Sequence, residues 1–240
     1  MTDLKPEQLD PKKHSQIYID TTHYDTPNNH VNSCVVTVAE LANLVHEYPI
    51  FITKNNHSGL FQLSALFGLK SGENLYLQDN SWRAKYLPME ILRRPIQLAQ
   101  DENDPQKATF ALDMNSPQIN NQTGERLFTD NGAPTDYLQR IQTMFSQLIS
   151  SSQQTQKILQ TAAQYDLIEP VELNIKFEGQ EQPVLGGLYS VKAENLNTLT
   201  GEALETCHKT GVLQICHLLL ITATHLDKLV QWANERNKAQ

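Results

Sequence analysis

Apolar and polar residues alternate most regularly in two stretches of the chain. Between residues 60 and 68 every second residue is apolar, at Phe61, Leu63, Ala65 and Phe67. The same period returns between residues 171 and 177, at Val171, Leu173, Ile175 and Phe177. A period of two places alternate side chains on opposite faces of a strand. The pattern therefore predicts a half-buried strand in each stretch.

Shorter apolar runs predict the strands that accompany these two. Turn-forming residues at 54–59 (KNNHSG) join the run Ile50–Thr53 to the strand at 60–68, which indicates a hairpin. Further strands are predicted at Cys34–Val38, Asn74–Leu77, 96–98, 110–112 and Pro183–Val191.

The remaining apolar residues have helical spacing. A long helix is predicted to begin at Pro134, with Thr135 or Asp136 able to cap it, and its apolar positions continue as far as Ala162. The polar residues near Ser151 leave open whether this is one helix or two. Other helices are predicted at Val38–Tyr48 with Thr37 as its cap, Met89–Leu92, Glu194–Leu199, Glu202–Lys209 and Val212–Trp232.

Together these segments predict the α+β class, with a mainly antiparallel sheet, a long central helix and a C-terminal helical cluster. Residues 1–30 are polar and contain three prolines, which predicts a flexible N-terminal arm, and residues 31–240 are expected to form a single domain. The connection Asn115–Pro134 exceeds usual loop lengths, so it is either functional or wraps the body.

A weak internal echo is also present. A hairpin is followed by Glu73-Asn74-Leu75 and, 121 residues later, another by Glu194-Asn195-Leu196. A duplication around residues 40–80 and 160–200 would explain the echo, and so would chance combined with a shared hairpin–helix idiom.

Composition narrows the range of partners. The net charge is −8, and the longest basic runs are Lys12-Lys13 and Arg93-Arg94, so neither nucleic acid nor an anionic membrane is expected as a partner. The most apolar segment, 212–223, falls short of the roughly 20 residues that a membrane span needs. The first residues contain no apolar run, so no secretory signal is expected and the predicted location is cytoplasmic.

The cysteines do not suggest a disulfide or metal scaffold. Cys34, Cys207 and Cys216 are odd in number and lack CxxC spacing, so we expect free, buried thiols. Cys207 and His208 are adjacent and would diverge on a helix, which argues against a nucleophile–base pair.

One pattern is that of half an iron site. His23-Tyr24-Asp25 matches the HxD half of a two-histidine, one-carboxylate centre, which also needs a distant histidine and rigid ligand positions. His217 is a weak further candidate, although a lone histidine in an apolar helix is more often a core residue. A solvated arm is the favoured interpretation of His23 and Asp25, and we predict no metal and no cofactor.

Candidate ligand-binding residues lie between positions 76 and 94. Tyr76, Trp82 and Tyr86 flank a polar loop, and aromatic rings beside amide side chains can form a pocket for a peptide or a sugar. They can equally close the edge of a sheet. Arg93 and Arg94 could bind a carboxylate or phosphate, or could pair with acidic neighbours. The sequence contains no GxSxG, GxGxxG or Walker motif.

Several segments occur in an order that resembles the bacterial SapC family over residues 31–233. They are EYPIFI at 47–52, Phe61–Leu69, GENLYL at 72–77, WxAxYLP at 82–88, RRPI at 93–96, GERLF at 124–128, GLYSV at 187–191 and ENLNxL at 194–199. The family name refers to bacterial surface layers and not to the similarly named peptide-transporter permease. The resemblance implies genes beside TonB-dependent receptors and halogenase-like or oxygenase-like enzymes, and supplies no catalytic residues.

Two functional hypotheses follow. The first is a non-catalytic accessory or binding protein of a bacterial surface-substrate uptake or modification system, recognising a peptide, a glycan or a partner enzyme of the halogenase-like or oxygenase-like kind. The alternative is an enzyme whose site is assembled only in three dimensions, such as an iron-dependent oxygenase.

Overall fold

The computed structural model describes residues 6–100, 108–173, 176–177, 180–181 and 185–239. Within it the chain divides into two compact units. Unit 1 comprises Met1–His30, Leu77–Arg83 and Met89–Leu148, and unit 2 comprises Val31–Tyr76, Ala84–Pro88 and Ile149–Gln240. The sequence predicted one domain over residues 31–240, whereas the contacts within the chain divide that range between the two units.

Helices separate groups of strands along the chain, and the last helices follow one another without a strand between them. In order the strands are β1 (Glu7–Gln8), β2 (Tyr18–Ile19), β3 (Ser33–Val36), β4 (Ile50–Lys54), β5 (Phe61–Leu66), β6 (Leu77–Gln78), β7 (Ser81–Trp82), β8 (Ile96–Gln100), β9 (Ala108–Leu112), β10 (Ile119–Asn120), β11 (Glu125–Arg126), β12 (Ile168–Leu173), β13 (Lys176–Phe177), β14 (Gln180–Glu181) and β15 (Leu185–Val191).

The helices are α1 (Leu41–Leu44), α2 (Met89–Leu92), α3 (Asp136–Gln164), α4 (Ala193–Asn197), α5 (Gly201–Lys209), α6 (Val212–Thr222) and α7 (Leu226–Ala239). Short 3₁₀ turns occur at Pro27–Asn29 and Ala223–His225. The mixed content, the antiparallel pairing and the long helix α3 confirm the predicted α+β class.

Unit 2 is built on an antiparallel sheet in the order β12-β15-β4-β5-β3. The predicted hairpin is β4–β5, with register Ile50↔Ala65 to Lys54↔Phe61. The prediction that its second strand is half-buried is wrong for the last four residues, which are buried on both faces. Ser64 tolerates this position because its hydroxyl lies 2.8 Å from that of Thr53 on β4.

Two local predictions in the same region are also wrong. The helix predicted at Val38–Tyr48 shortens to α1, and Thr37 does not cap it. Instead the Thr37 N–H and hydroxyl both donate to the Glu40 carboxylate, at 2.9 and 3.0 Å. The strand predicted at Asn74–Leu77 begins only at Leu77, in β6. Leu75 and Tyr76 lie in a turn, in which the Asn74 side-chain oxygen accepts the Tyr76 N–H at 3.0 Å.

The second alternating stretch is strand in both of its described parts, in β12 up to Leu173 and in β13 at Lys176–Phe177. β12 pairs with β15 from Ile168↔Val191 to Leu173↔Leu185, while Ile175 lies outside the described residues. β15 in turn pairs with β4, so the two hairpins of the sequence echo share one sheet. The two asparagines differ, because Asn195 lies in α4 and donates to the Asp166 carbonyl at 2.8 Å. The duplication stays a prediction.

Helix α3 resolves the question of one helix or two, since it is continuous over 29 residues. Its polar residues Ser151 and Thr155 are buried and find specific partners. Ser151 donates to the Thr37 hydroxyl at 3.0 Å, and the Thr155 hydroxyl accepts the N–H of Val38 at 3.0 Å. The polar patch is therefore a buried contact and does not break the helix.

The predicted C-terminal helix is divided into α6 and α7 by the 3₁₀ turn. Thr222 ends α6, and its hydroxyl accepts the Ile50 N–H at 3.1 Å. Among the described residues one helical stretch, Val212–Lys238, is long and apolar enough by length and composition to cross a membrane, and a third of its most apolar window is buried. Buried core helices pass the same test, so this is weak evidence for a span.

Unit 1 has its own core, into which residues 6–30 are incorporated. β1 pairs with β9, and β2 lies between β10 and β11. Ile19 of β2 is fully buried. The described part of the predicted arm thus supplies strands and a core residue. The core cluster consists of Ile19, Ile96, Leu112, Leu127, Phe128, Tyr137, Leu138, Ile141 and Phe145.

The long connection at 115–134 wraps β2 through β10 and β11. Gly124 makes this close approach possible. A Cβ atom on it would lie 2.3 Å from the Ile19 carbonyl oxygen, and its φ is +117°. Only glycine adopts this backbone without strain.

Candidate functional site

The three predicted aromatic ligand residues fall in different surroundings. Tyr76, in unit 2, is fully buried, and its ring centroid lies 4.6 Å from that of Tyr48 and 5.2 Å from that of Trp232. Tyr86, also in unit 2, is half-buried, and its carbonyl accepts the Tyr48 hydroxyl at 2.7 Å. Trp82 belongs to unit 1, where its ring meets that of Tyr24 edge-on at 6.3 Å. The contacts of Tyr76 are those of a core residue.

Arg93 lies beside a small polar cleft of about 270 Å³ in unit 1. Its Nε donates to Glu90 at 2.8 Å, its Nη1 donates to the Ile96 carbonyl at 3.0 Å, and its guanidinium lies over the Phe145 ring. These contacts favour the interpretation of an arginine paired with an acidic neighbour.

Arg94 lines the same cleft and holds the turn at residues 27–29. Its Nη1 donates to the Asn28 carbonyl and to the Asn29 side-chain oxygen. Asn28 in turn donates to the buried Asp113 carboxylate at 2.8 Å. The Arg94–Pro95 peptide bond is cis.

A second cleft of about 320 Å³, which we call the Tyr137 cleft, also lies in unit 1 and shares Arg94 with the first. Part of its lining is apolar: Ile91, Leu92, Ile141 and Met144. The rest carries polar groups from four segments of unit 1: Thr21, Tyr24, Arg94, Gln118, Glu125, Tyr137 and Arg140.

Two polar atoms of this lining are buried without a hydrogen-bond partner among the described residues. They are the hydroxyl of Tyr137, a residue 6% exposed, and Oε1 of Gln118, a residue 4% exposed. Each such atom costs about 1–3 kcal/mol of stability. Two of them in the lining of one cleft indicate a place where a ligand or water completes the structure.

The elements of unit 1 fix both residues. Tyr137 lies in the first turn of α3, where the Thr135 hydroxyl accepts the Leu138 N–H at 3.4 Å, as predicted for a cap. The Gln118 carbonyl accepts the Asp20 N–H at 2.8 Å, which ties the long connection to the segment after β2. The two polar groups thus come from separate segments that share one core.

Electrostatics keep the phenol neutral. Burial raises the pKa of Tyr137 to about 12, with a further rise from the Glu125 charge and an opposing effect of Arg140. Arg140 and Glu125 are 3.9 Å apart and well exposed. Burial also raises the pKa of Tyr24. The phenols of Tyr137 and Tyr24 are therefore protonated at neutral pH, so each hydroxyl is able to donate and to accept a hydrogen bond.

The predicted metal ligands make other contacts. In unit 1, Nε2 of His23 lies 3.1 Å from the Asp25 carbonyl oxygen, and the Asp25 carboxylate lies 2.7 Å from Nε2 of His30. His217, in unit 2, is exposed on α6 and is not the core residue that its apolar helix favoured. Within the described ranges no group of three or more His, Cys, Asp or Glu side chains is placed to hold a metal ion.

The cysteines are free and buried, as predicted. Burial raises the pKa of Cys216 to about 12, with a contribution from Cys207, and burial also raises the pKa of Cys207. Both thiols stay protonated at neutral pH, which is unfavourable for a thiolate nucleophile.

Sequence reasoning identified Arg94 but not the other residues of the Tyr137 cleft. Its one useful signal was the length of the connection at 115–134, which supplies Gln118 and Glu125. The amphipathic pattern of α3 gave no separate signal for Tyr137, because a tyrosine fits a core position of that pattern as any other core residue does.

Comparison with known proteins gives one result. No curated protein and no solved structure matches the chain. A family model described as SapC matches residues 9–229, which is most of the chain and includes every residue of the Tyr137 cleft. The chain therefore belongs to the SapC family.

Proposed function

We propose that this chain is a non-catalytic binding protein whose ligand occupies the Tyr137 cleft. One observation carries the proposal: Tyr137 and Gln118, each with a buried polar atom that lacks a partner among the described residues, both line the same cleft. The ligand is a peptide, a glycan or a segment of a partner enzyme. We further propose that this binding serves the uptake or modification of a surface-acquired substrate in the bacterial cytoplasm, with a halogenase-like or oxygenase-like partner.

The composition of the cleft supports binding. Ligand sites combine an apolar wall with a few convergent polar groups, and their volumes begin at about 300 Å³. The Tyr137 cleft has an apolar part and a small set of polar groups from separate segments, at about 320 Å³. An unpaired polar atom in such a lining gives specificity, because a ligand that pairs it removes a penalty that the free protein bears.

The titratable groups of the cleft favour binding over acid–base catalysis. A general acid or base works best when its pKa lies near the working pH. Burial moves the pKa of Tyr137 away from neutrality, and Glu125 is exposed with Arg140 at 3.9 Å. The cleft thus offers recognition groups, and its one exposed acid lies beside a cation.

The experiment is a thermal-shift screen of the full chain against short peptides and oligosaccharides. A ligand at 100 times its Kd should raise Tm by roughly 5–10 °C. Tyr137→Phe, with about tenfold weaker binding, should reduce the shift to about half. Tyr18→Phe is the matched control, since Tyr18 is a half-buried tyrosine of unit 1 outside the cleft. The absence of a shift with every peptide and oligosaccharide, or a shift that Tyr137→Phe leaves intact, would overturn the proposal.

A further inference from the structure

A groove of about 420 Å³ runs along the exposed face of α3. Its lining repeats at helical spacing, with Asp136, Gln139, Arg140, Thr143, Met144 and Gln147. Arg140 and Met144 also line the Tyr137 cleft. The cleft and the groove therefore adjoin, and together they form a continuous surface on unit 1.

We infer that this surface binds an extended peptide, with one apolar side chain in the Tyr137 cleft and the chain continuing along the α3 groove. The inference rests on the proposed function and specifies its ligand class. The length of the surface is the first reason. A small molecule would occupy only the cleft, whereas an extended polymer would occupy both the cleft and the groove.

The hydrogen-bonding groups match a peptide group. A peptide unit offers one N–H donor and one carbonyl acceptor a short distance apart. The Gln118 oxygen needs a donor, and the neutral Tyr137 hydroxyl can donate to a carbonyl. Pairing both would satisfy the two atoms that the free protein leaves without partners.

The apolar part of the cleft favours a peptide over a glycan. Ile91, Leu92, Ile141 and Met144 offer aliphatic surface for an apolar side chain. A sugar ring would instead require an open aromatic face. Of the two aromatic residues in the lining, Tyr137 belongs to the core cluster and Tyr24 packs against Trp82.

Access to the cleft requires side chains to move. The Tyr137 hydroxyl and the Gln118 oxygen lie below the accessible surface. Leu92 is 39% exposed and the Arg140 side chain 64% exposed, so both can change rotamer at little cost.

The test is isothermal titration of the full chain with a position-scanning library of N-acetylated, C-amidated hexapeptides, alongside an oligosaccharide panel. Peptides with one apolar residue should bind, and replacement of that residue by serine should weaken binding about tenfold or more. Tyr137→Phe and Gln118→Leu should each weaken binding about tenfold, while Tyr18→Phe leaves it unchanged. Circular dichroism confirms that each variant is folded, and Tyr137→Phe suffices if Gln118→Leu does not fold.

A variant in the groove separates an extended ligand from a short one. Thr143 is exposed on α3, so Thr143→Arg keeps the helix and fills the groove. This variant should weaken the binding of hexapeptides and leave the binding of a single N-acetylated leucine amide unchanged. Equal effects on both ligands would overturn the extended pose.

The failures of the two proposals differ. If oligosaccharides bind in a Tyr137-dependent manner and peptides do not, the peptide inference is wrong and the binding function stands. Peptide binding that neither Tyr137→Phe nor Gln118→Leu affects also overturns the inference. If no peptide and no oligosaccharide binds, both proposals fall.

Discussion

The Tyr76 hydroxyl donates a hydrogen bond to the backbone carbonyl of Glu47 across 2.6 Å. The Lys228 ammonium donates to the same carbonyl and lies 5.2 Å from the centroid of the Tyr76 ring. Tyr76 therefore links the residues that follow α1 to α7 within unit 2. This is the position of a structural anchor, although the sequence made Tyr76 a candidate for ligand binding.

We expect Tyr76→Phe to lower the free energy of unfolding by about 1 kcal/mol, because the ring packing remains while one hydrogen bond is lost. Urea denaturation measures the change. Tyr189→Phe is the control, since that ring is half-buried on the sheet of unit 2 and should alter stability by less. A variant of unchanged stability would show that the Tyr76–Glu47 bond contributes nothing.

Local periodicity identified the elements whose patterns are short-range. The hairpin β4–β5, the strands β8 and β9 and the helix α3 all occur where the sequence predicts them. Their signals repeat within a few residues, so they need no knowledge of the tertiary structure.

The features that the local pattern missed or left open depend on contacts between residues far apart in the chain. The sequence left the continuity of α3 open at Ser151 because the partner of this residue, Thr37, lies 114 residues away. Residues 6–30 resembled an arm because their strands pair with β9, β10 and β11. Likewise, Gln118 and Tyr137 belong to one candidate site only because the fold of unit 1 places both residues in one cleft lining.

Gly124 provides a test of the wrapped connection. Gly124→Ala would place a methyl group 2.3 Å from the Ile19 carbonyl oxygen, and backbone atoms cannot move aside as a flexible side chain can. We expect a loss of at least about 3 kcal/mol in unfolding free energy. Thermal denaturation measures it, with Gly186→Ala as the control, because no atom lies within 4 Å of a Cβ there. Equal Tm values for the two variants would contradict the close approach.

Thr222 links the C-terminal helices to the sheet of unit 2. It is fully buried, and its hydroxyl accepts the Ile50 N–H and donates to the Leu219 carbonyl at 2.8 Å. Thr222→Val keeps the shape but leaves the Ile50 N–H without its acceptor, so we expect a loss of about 1–3 kcal/mol. Chemical denaturation measures it. The exposed Thr224, whose hydroxyl donates within its own helical turn, gives the control Thr224→Val, which should stay within about 0.5 kcal/mol of the parent.

Tyr137→Phe should stabilise the free protein, in contrast to its expected effect on binding. It removes a buried hydroxyl that lacks a partner among the described residues, so unfolding free energy at pH 7 should rise by about 1 kcal/mol. The raised pKa of the Tyr137 phenol gives a second way to measure the effect of the variant on stability. The folded state keeps the phenolic proton to about pH 12, whereas the unfolded state releases it near pH 10, so stability falls across that window.

The variant lacks this titration and should avoid a loss of about 2 kcal/mol between pH 10 and pH 12. Cys216, whose pKa is raised from about 9 to about 12, lowers the stability of both proteins equally over its own range. Urea midpoints at pH 7, 10 and 12 measure both effects. If Tyr137→Phe is less stable than the parent at pH 7, a bound water satisfies the hydroxyl in the free protein. The stability cost assigned to that hydroxyl would then be wrong.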